Sequence, residues 1–144
     1  MQATAYVYIY VCVCLCVDVC AFTCVYVLVC VFLTQNTTPL SSVIQSHNLN
    51  HHLYADDTQI YVSLTTPYTC RSLNQLRDCL QDVLLWMKNS KLKLNADKTE
   101  FIIIGASRQR AKLDGLFPTQ ILSQSITPTD LIFNLGVTFD ENFN

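Results

Sequence analysis

Hydrophobic positions follow two different regimes along the chain. From Ala5 to Leu33 they are nearly continuous, and only Asp18 and Thr23 interrupt Tyr, Val, Ile, Cys, Leu, Ala and Phe. From Thr34 onward apolar and polar residues mix as they do in a soluble domain, over roughly 110 residues. After the polar break "TQNTTPL", the segment "SSVIQSH" reads as a short helix or the remnant of one. In "NLNHHLYADDTQIYVSL", Leu53 and Ala55 alternate with polar neighbours before Asp56-Asp57, and Ile60 and Val62 alternate after them. This pattern predicts a β-hairpin with an acidic tip.

Between Cys70 and Asn89 the apolar residues Leu73, Leu76, Leu80, Val83, Leu84 and Met87 recur at helical spacing, with Arg71, Gln75, Arg77, Asp78, Gln81 and Asp82 elsewhere. The segment is an amphipathic helix, capped by Thr69 or Ser72 and ended by Asn89-Ser90, with Trp86 and Met87 assigned to core packing. Beyond it, "KLKLN" alternates as a strand, "ADKTE" turns, and "FIIIG" reads as a short buried strand ended by Gly105. "ASRQRAKLDGLFPT" is polar and basic with Gly115 and Pro118, hence an exposed loop. "QILSQSITPTD" and "LIFNLGVTFD" read as two more short strands around Pro128. The expected fold class is α+β, an antiparallel β-hairpin and short strands backed by one amphipathic helix, preceded by an apolar N-terminal segment over 1–36.

The apolar run admits three readings. As a transmembrane helix over Ala5 to Leu33 it is long enough, since about 20 apolar residues span a bilayer core. Asp18 would cost about 2.5 to 3.5 kcal/mol near the middle, which the many Val, Leu, Ile and Phe residues offset. As a signal peptide it is poor, because no Lys or Arg precedes it and it is too long. The favoured reading is translated low-complexity DNA: Tyr-Val-Tyr-Ile-Tyr and then Val-Cys-Val-Cys is what a TA/TG dinucleotide repeat encodes, and membrane affinity would be a by-product. No Lys or Arg occurs before Arg71, so the positive-inside rule sets no orientation. Location therefore stays open, membrane if the segment inserts and cytoplasmic or nuclear otherwise.

Six of the eight cysteines lie in that run, alternating with valine rather than spread among polar loops, which excludes a secreted disulfide framework. Cys12-x-Cys14-x-Cys16 lacks the paired CxxC spacing and polar setting of a thiolate metal cluster. A net charge of −2 gives no basic footprint for a polyanion and counts against a self-sufficient nucleic-acid binder. Arg108, Arg110 and Lys112 in "SRQRAKL" supply too few charges for more than salt-sensitive contact, so a solvated loop is the better account of them.

Adjacent carboxylates at a hairpin tip suit Mg²⁺, which takes hard oxygens in octahedral geometry and commonly uses one or two carboxylates together with substrate phosphates. Alone, Asp56-Asp57 also fits a solvated turn. The neighbours change that balance. "YADDTQIY" at Tyr54 to Tyr61, then "LLWMKNSKLKLNADKTEFIIIG", then "NLGVTFD", resembles in order, spacing and wording the C-terminal palm of reverse transcriptases of LINE-type (non-LTR) retrotransposons, from about Thr38 to Asp140.

The resemblance implies a partial reverse-transcriptase palm over 37–144, a fragment of an RNA-directed DNA polymerase whose partners are an RNA template and a DNA primer. By that likeness Asp56 is the principal Mg²⁺ ligand and Asp57 its partner, Tyr54 sits beside the primer end, and Lys98 lies near the nucleotide's phosphates. Asn134-Leu135-Gly136-Val137 would form the strand pair nearest the primer grip. The family pattern also calls for a further aspartate well upstream on another strand and a Gly-rich block before the hairpin, and neither is present. "VDVCAFT" at Val17 to Thr23 echoes such an aspartate block but is one residue short, carries Thr23 where an acid is expected, and stands too close to Asp56. The chain is therefore expected to be inactive on its own, with the hairpin sheet missing its partner strands. The alternative is a small single-pass membrane protein with a non-catalytic palm remnant.

Overall fold

A computed structural model describes residues 5–12, 39–54, 57–64, 69–92, 94, 99–111, 120–121, 124–125, 128–134 and 137–140. Their order begins with strand β1 (Ala5–Cys12), helix α1 at 39–46, strand β2 (Asn50–Tyr54) and strand β3 (Asp57–Leu64). Helix α2 (Thr69–Asn89) and strand β4 (Glu100–Ile104) follow. The four strands make one antiparallel sheet in the order β2-β3-β1-β4. Among the described residues this is a β-α-β-β-α-β succession with the first strand at the centre of the sheet, the split arrangement of ferredoxin-like folds.

The central strand comes from the apolar run. Ala5–Cys12 pairs with β3 from Ala5↔Leu64 to Cys12↔Asp57, and with β4 from Tyr6↔Ile104 to Tyr10↔Glu100. Strict alternation of Tyr or Cys with Val or Ile has the two-residue period of a strand, and β-branched and aromatic residues suit a pleated surface. The expectation that the hairpin sheet misses its partner strands is corrected on the β3 side only, because β1 occupies the gap between β3 and β4. The outer edge of β2 stays without a strand partner among the described residues. No helix among those residues is long and apolar enough to cross a membrane, and 13–33 of the expected span lie outside them.

The main core lies on one face of the sheet. Thr58, Ile60 and Leu64 of β3 and Phe101 and Ile103 of β4 turn inward, and Leu76, Cys79, Leu80, Val83 and Met87 of α2 cover them with Leu40 and Ile44 of α1. The expected helix from Cys70 to Asn89 is thus present, its apolar stripe buried and Leu85 exposed. On the opposite face Ile102 and Ile104 pack with Ile132 of strand β7 (Leu131–Asn134), forming a smaller second cluster. The amide of Thr129 donates to the Phe101 carbonyl at 2.8 Å and its hydroxyl does so at 3.2 Å, which satisfies part of the outer edge of β4.

Both longer helices end on a residue with positive φ. Asn48, at φ 54°, follows α1 and its amide reaches the Gln45 carbonyl at 2.9 Å. Lys91, at φ 60°, follows α2 in a Schellman turn: Leu92 N–H donates to the Met87 carbonyl at 2.8 Å and Lys91 N–H to that of Lys88 at 3.2 Å. This turn corrects the expectation of a strand at "KLKLN". Lys91 and Leu92 complete the helix end, while Leu92 and Leu94 pack against the core outside any strand.

Three smaller differences follow the same logic of short-range closure. The expected loop after Gly105 contains one helical turn, α3 (Ser107–Arg110), in which the Arg110 guanidinium donates to the Gly105 carbonyl at 2.6 Å. "QILSQSITPTD" holds a pair of two-residue strands, β5 (Gln120–Ile121) and β6 (Gln124–Ser125). "LIFNLGVTFD", read as one strand from its pattern, is a hairpin of β7 and β8 (Val137–Asp140) with Asn134 paired to Val137. The strand pair that the resemblance implied there is the arrangement found.

Candidate active site at the hairpin end of the sheet

The hairpin tip is set by register. Tyr54 ends β2 and pairs with Asp57, which begins β3, so a two-residue connection, 55–56, joins them. Asp56 and Ala55 lie outside the described residues, as does Lys98. Alternation then divides the strand between two faces: Thr58, Ile60 and Leu64 are buried, so Asp57, Gln59, Tyr61 and Ser63 belong to the other face. On β2 the same face carries Asn50, His52 and Tyr54, the register partners of Tyr61, Gln59 and Asp57.

This face is polar and aromatic around the hairpin. Tyr54 is 63% exposed, whereas Asp57 is half-buried. The rings of His52 and Tyr61 stack with centroids 5.4 Å apart and planes at 26°, and the Tyr61 hydroxyl lies 3.3 Å from His52 Nε2. Sequence reasoning singled out Tyr54 and the aspartates but passed over His52, Gln59 and Tyr61. The same alternation that predicted the strand would have placed them on the face of Asp57.

Two further strands end near the tip. Across β3 from Tyr54, the residue opposite Asp57 is Cys12 of β1. β4 enters the sheet from the same end, since its first residue, Glu100, pairs with Tyr10. The topology thus leads the chain just after Lys98 into the sheet at the hairpin end.

A pair of hard cations needs several oxygen ligands from more than one element. In the row of register partners Tyr54–Asp57–Cys12, only Asp57 is a carboxylate residue. Among the described residues no group of three or more His, Cys, Asp or Glu side chains is arranged to hold a metal ion. The described residues by themselves do not make up a two-metal centre.

A β-α-β-β-α-β sheet with an acidic hairpin at one end of its open face is the architecture of a polymerase palm. Residues 27–139 match the family model of reverse transcriptase (RNA-dependent DNA polymerase), and the chain belongs to that family. The match begins downstream of β1, so the central strand lies outside it. No protein of curated function and no solved structure matches the chain. The family's reaction is RNA-directed DNA synthesis, which uses a nucleic-acid template and primer and generally Mg²⁺.

Proposed function

We propose that the chain is a fragment of the RNA-directed DNA polymerase of a LINE-type retrotransposon, with its palm signature in 37–144, and that it is inactive alone. The observation that carries this reading is the β2–β3 hairpin, with Tyr54 paired to Asp57 at the end of the sheet and Cys12, not a carboxylate, on the neighbouring strand. The wording "NSKLKLNADKTE" and "NLGVTFD" supports the LINE-type subclass. In this reading Asp56 and Asp57 are the remnant of the metal-binding pair, Tyr54 sits beside a primer end, and Lys98 is the cation toward the nucleotide's phosphates, where it would neutralise developing charge. Insertion into a membrane through Ala5 to Leu33 would have to withdraw Ala5–Cys12 from its hydrogen bonds with β3 and β4, and ranks second for that reason.

Primer extension on poly(rA)/oligo(dT) with Mg²⁺ tests the proposal. No incorporation is expected from the full chain. Robust incorporation that Asp56→Ala abolishes would overturn the claim of inactivity.

A further inference from the structure

The two outer edges of the four-stranded sheet are finished differently. At β4 the Thr129 amide and hydroxyl both donate to the Phe101 carbonyl. At β2 no strand pairs with the outward side among the described residues. Edge strands that stay single are guarded by charge, proline or a bulge. β2 has none of these: "NLNHHLY" from Asn48 to Tyr54 holds no Lys, Arg, Asp, Glu or Pro, and the register against β3 runs unbroken from Asn50↔Tyr61 to Tyr54↔Asp57.

That register also says what the edge offers. A two-residue connection closes on a hydrogen-bonded pair, here Tyr54 and Asp57, and such pairs alternate with non-bonded ones along an antiparallel ladder. Asn50, His52 and Tyr54 therefore turn their backbone groups toward β3, and His51 and Leu53 turn theirs outward. The Ser41 hydroxyl, 2.8 Å from His51 Nε2, ties β2 to α1, so the edge is ordered before any partner arrives.

We propose that this edge is the interface between two copies of the chain, with β2 pairing antiparallel to β2 of a second copy about a two-fold axis at His52. The inference does not rest on the polymerase-fragment reading. A second copy brings a strand that fits: the five residues laid antiparallel on themselves set His52 against His52, His51 against Leu53 and Asn50 against Tyr54. His51 and Leu53 then form the hydrogen-bonded pairs, the same residues whose backbone groups the ladder leaves outward. On the open face the exposed Asn50 and Tyr54 become direct opposites, an amide against a phenol, and the His52–Tyr61 stacks of the two copies adjoin at the axis. No acidic, Lys or Arg side chain on the strand repels its copy. Because Thr129 occupies the β4 edge, the two sheets join once and the assembly closes as a dimer.

Sedimentation equilibrium of the full chain reads the association. A monomer–dimer equilibrium is expected. His52→Lys, which sets two ammonium groups opposite each other at the axis, should weaken it on the order of fivefold while leaving the far-ultraviolet circular dichroism unchanged. Should that variant fail to fold, His52→Cys tests the register instead. Mild oxidation should yield a dimer linked 52 to 52, because opposite residues of a non-hydrogen-bonded pair stand about 4.5 Å apart at Cα, within disulfide reach. Asn50→Cys, whose two copies lie at opposite ends of the pairing, should give no 50-to-50 link. A 50-to-50 link, or the absence of a 52-to-52 link by mass spectrometry, overturns the proposal, as does association that a folded His52→Lys leaves unchanged. A chain that stays monomeric at every concentration overturns it too, whether hydrogen exchange then finds the His51 and Leu53 amides protected, the edge being covered within the same chain, or exchanging freely, the edge being open to a strand of another protein.

Discussion

His47 Nε2–H donates to Asp82 Oδ2 at 2.7 Å across 35 positions of sequence, tying the turn after α1 to the outer side of α2. The Gln75 side chain donates to the carbonyl of the same histidine, so the turn is held through both its ring and its backbone. The Asp82 carboxylate is more than half exposed, and an ion pair in that setting is screened and contributes little. Asp82→Asn should cost no more than about 1 kcal/mol. Gln75→Ala, which strips the donor from a part-buried carbonyl, should cost about as much or more. Urea midpoints of the two variants decide it, and a loss several times larger for Asp82→Asn would assign the ion pair a structural weight that this geometry does not give it.

Cys79 is fully buried in α2, and burial, with a smaller contribution from the Asp82 charge, pushes its thiol from 9.0 up to about 12. Below pH 9 both folded and unfolded chains hold the proton and stability is unaffected. Between 9.0 and about 12 the unfolded chain releases it while the folded chain keeps it, so stability falls as pH rises, by about 1.4 kcal/mol per unit from this group. Cys79→Ala should show a shallower alkaline decline than the parent chain in denaturant midpoints. Equal slopes would rule out Cys79 as a source. In the native state near neutral pH, exposed Cys70 should be alkylated while Cys79 resists.

Lys91 holds a left-handed backbone that costs a residue with a Cβ about 1 kcal/mol relative to glycine. Lys91→Gly should therefore stabilise the chain by roughly 0.5 to 1 kcal/mol, and a β-branched residue such as valine should destabilise it. Thermal denaturation of the two variants gives the sign directly. A stabilising valine would contradict the Schellman geometry at the end of α2.

β1 stands between β3 and β4, so removal of the apolar run opens the sheet at its centre rather than trimming its edge. Residues 37–144 expressed alone should be poorly soluble or molten, because two strand edges and the β3–β4 seam lose their partners. Calorimetry distinguishes the outcomes. A sharp transition of the truncated chain, with matching calorimetric and van't Hoff enthalpies, would show that the sheet does not depend on Ala5–Cys12.

The parts of the fold legible in the sequence are those whose apolar period is local. Leu76, Leu80, Val83 and Met87 announce α2, Ile60 and Leu64 announce the inner face of β3, and the run ending at Ile104 announces β4. β1 was hidden by its own regularity, since a Tyr-Val alternation serves a translated repeat and a strand equally well, and only non-local pairing with β3 and β4 selects between them. "KLKLN" failed for the opposite reason, an alternation overridden by the helix ending at Lys91. Of the candidate site, Tyr54 and Asp57 fall where the hairpin pattern put them, and Asp56 and Lys98 lie outside the described residues. The sequence marked Cys12 only as part of a cysteine run, and its place opposite Asp57 is a fact of register alone.

The alternation of β1 has one more consequence, which concerns inheritance rather than folding. A strand repeats its faces every two residues, so a slip of two preserves every inward and outward position while a slip of one inverts them all. Three units of a dinucleotide repeat encode two residues. If the run is such a repeat in translation, each in-frame gain or loss of three units lengthens or shortens the protein by one full strand period. The gene would then drift in length at its most mutable stretch while the centre of the sheet kept its faces.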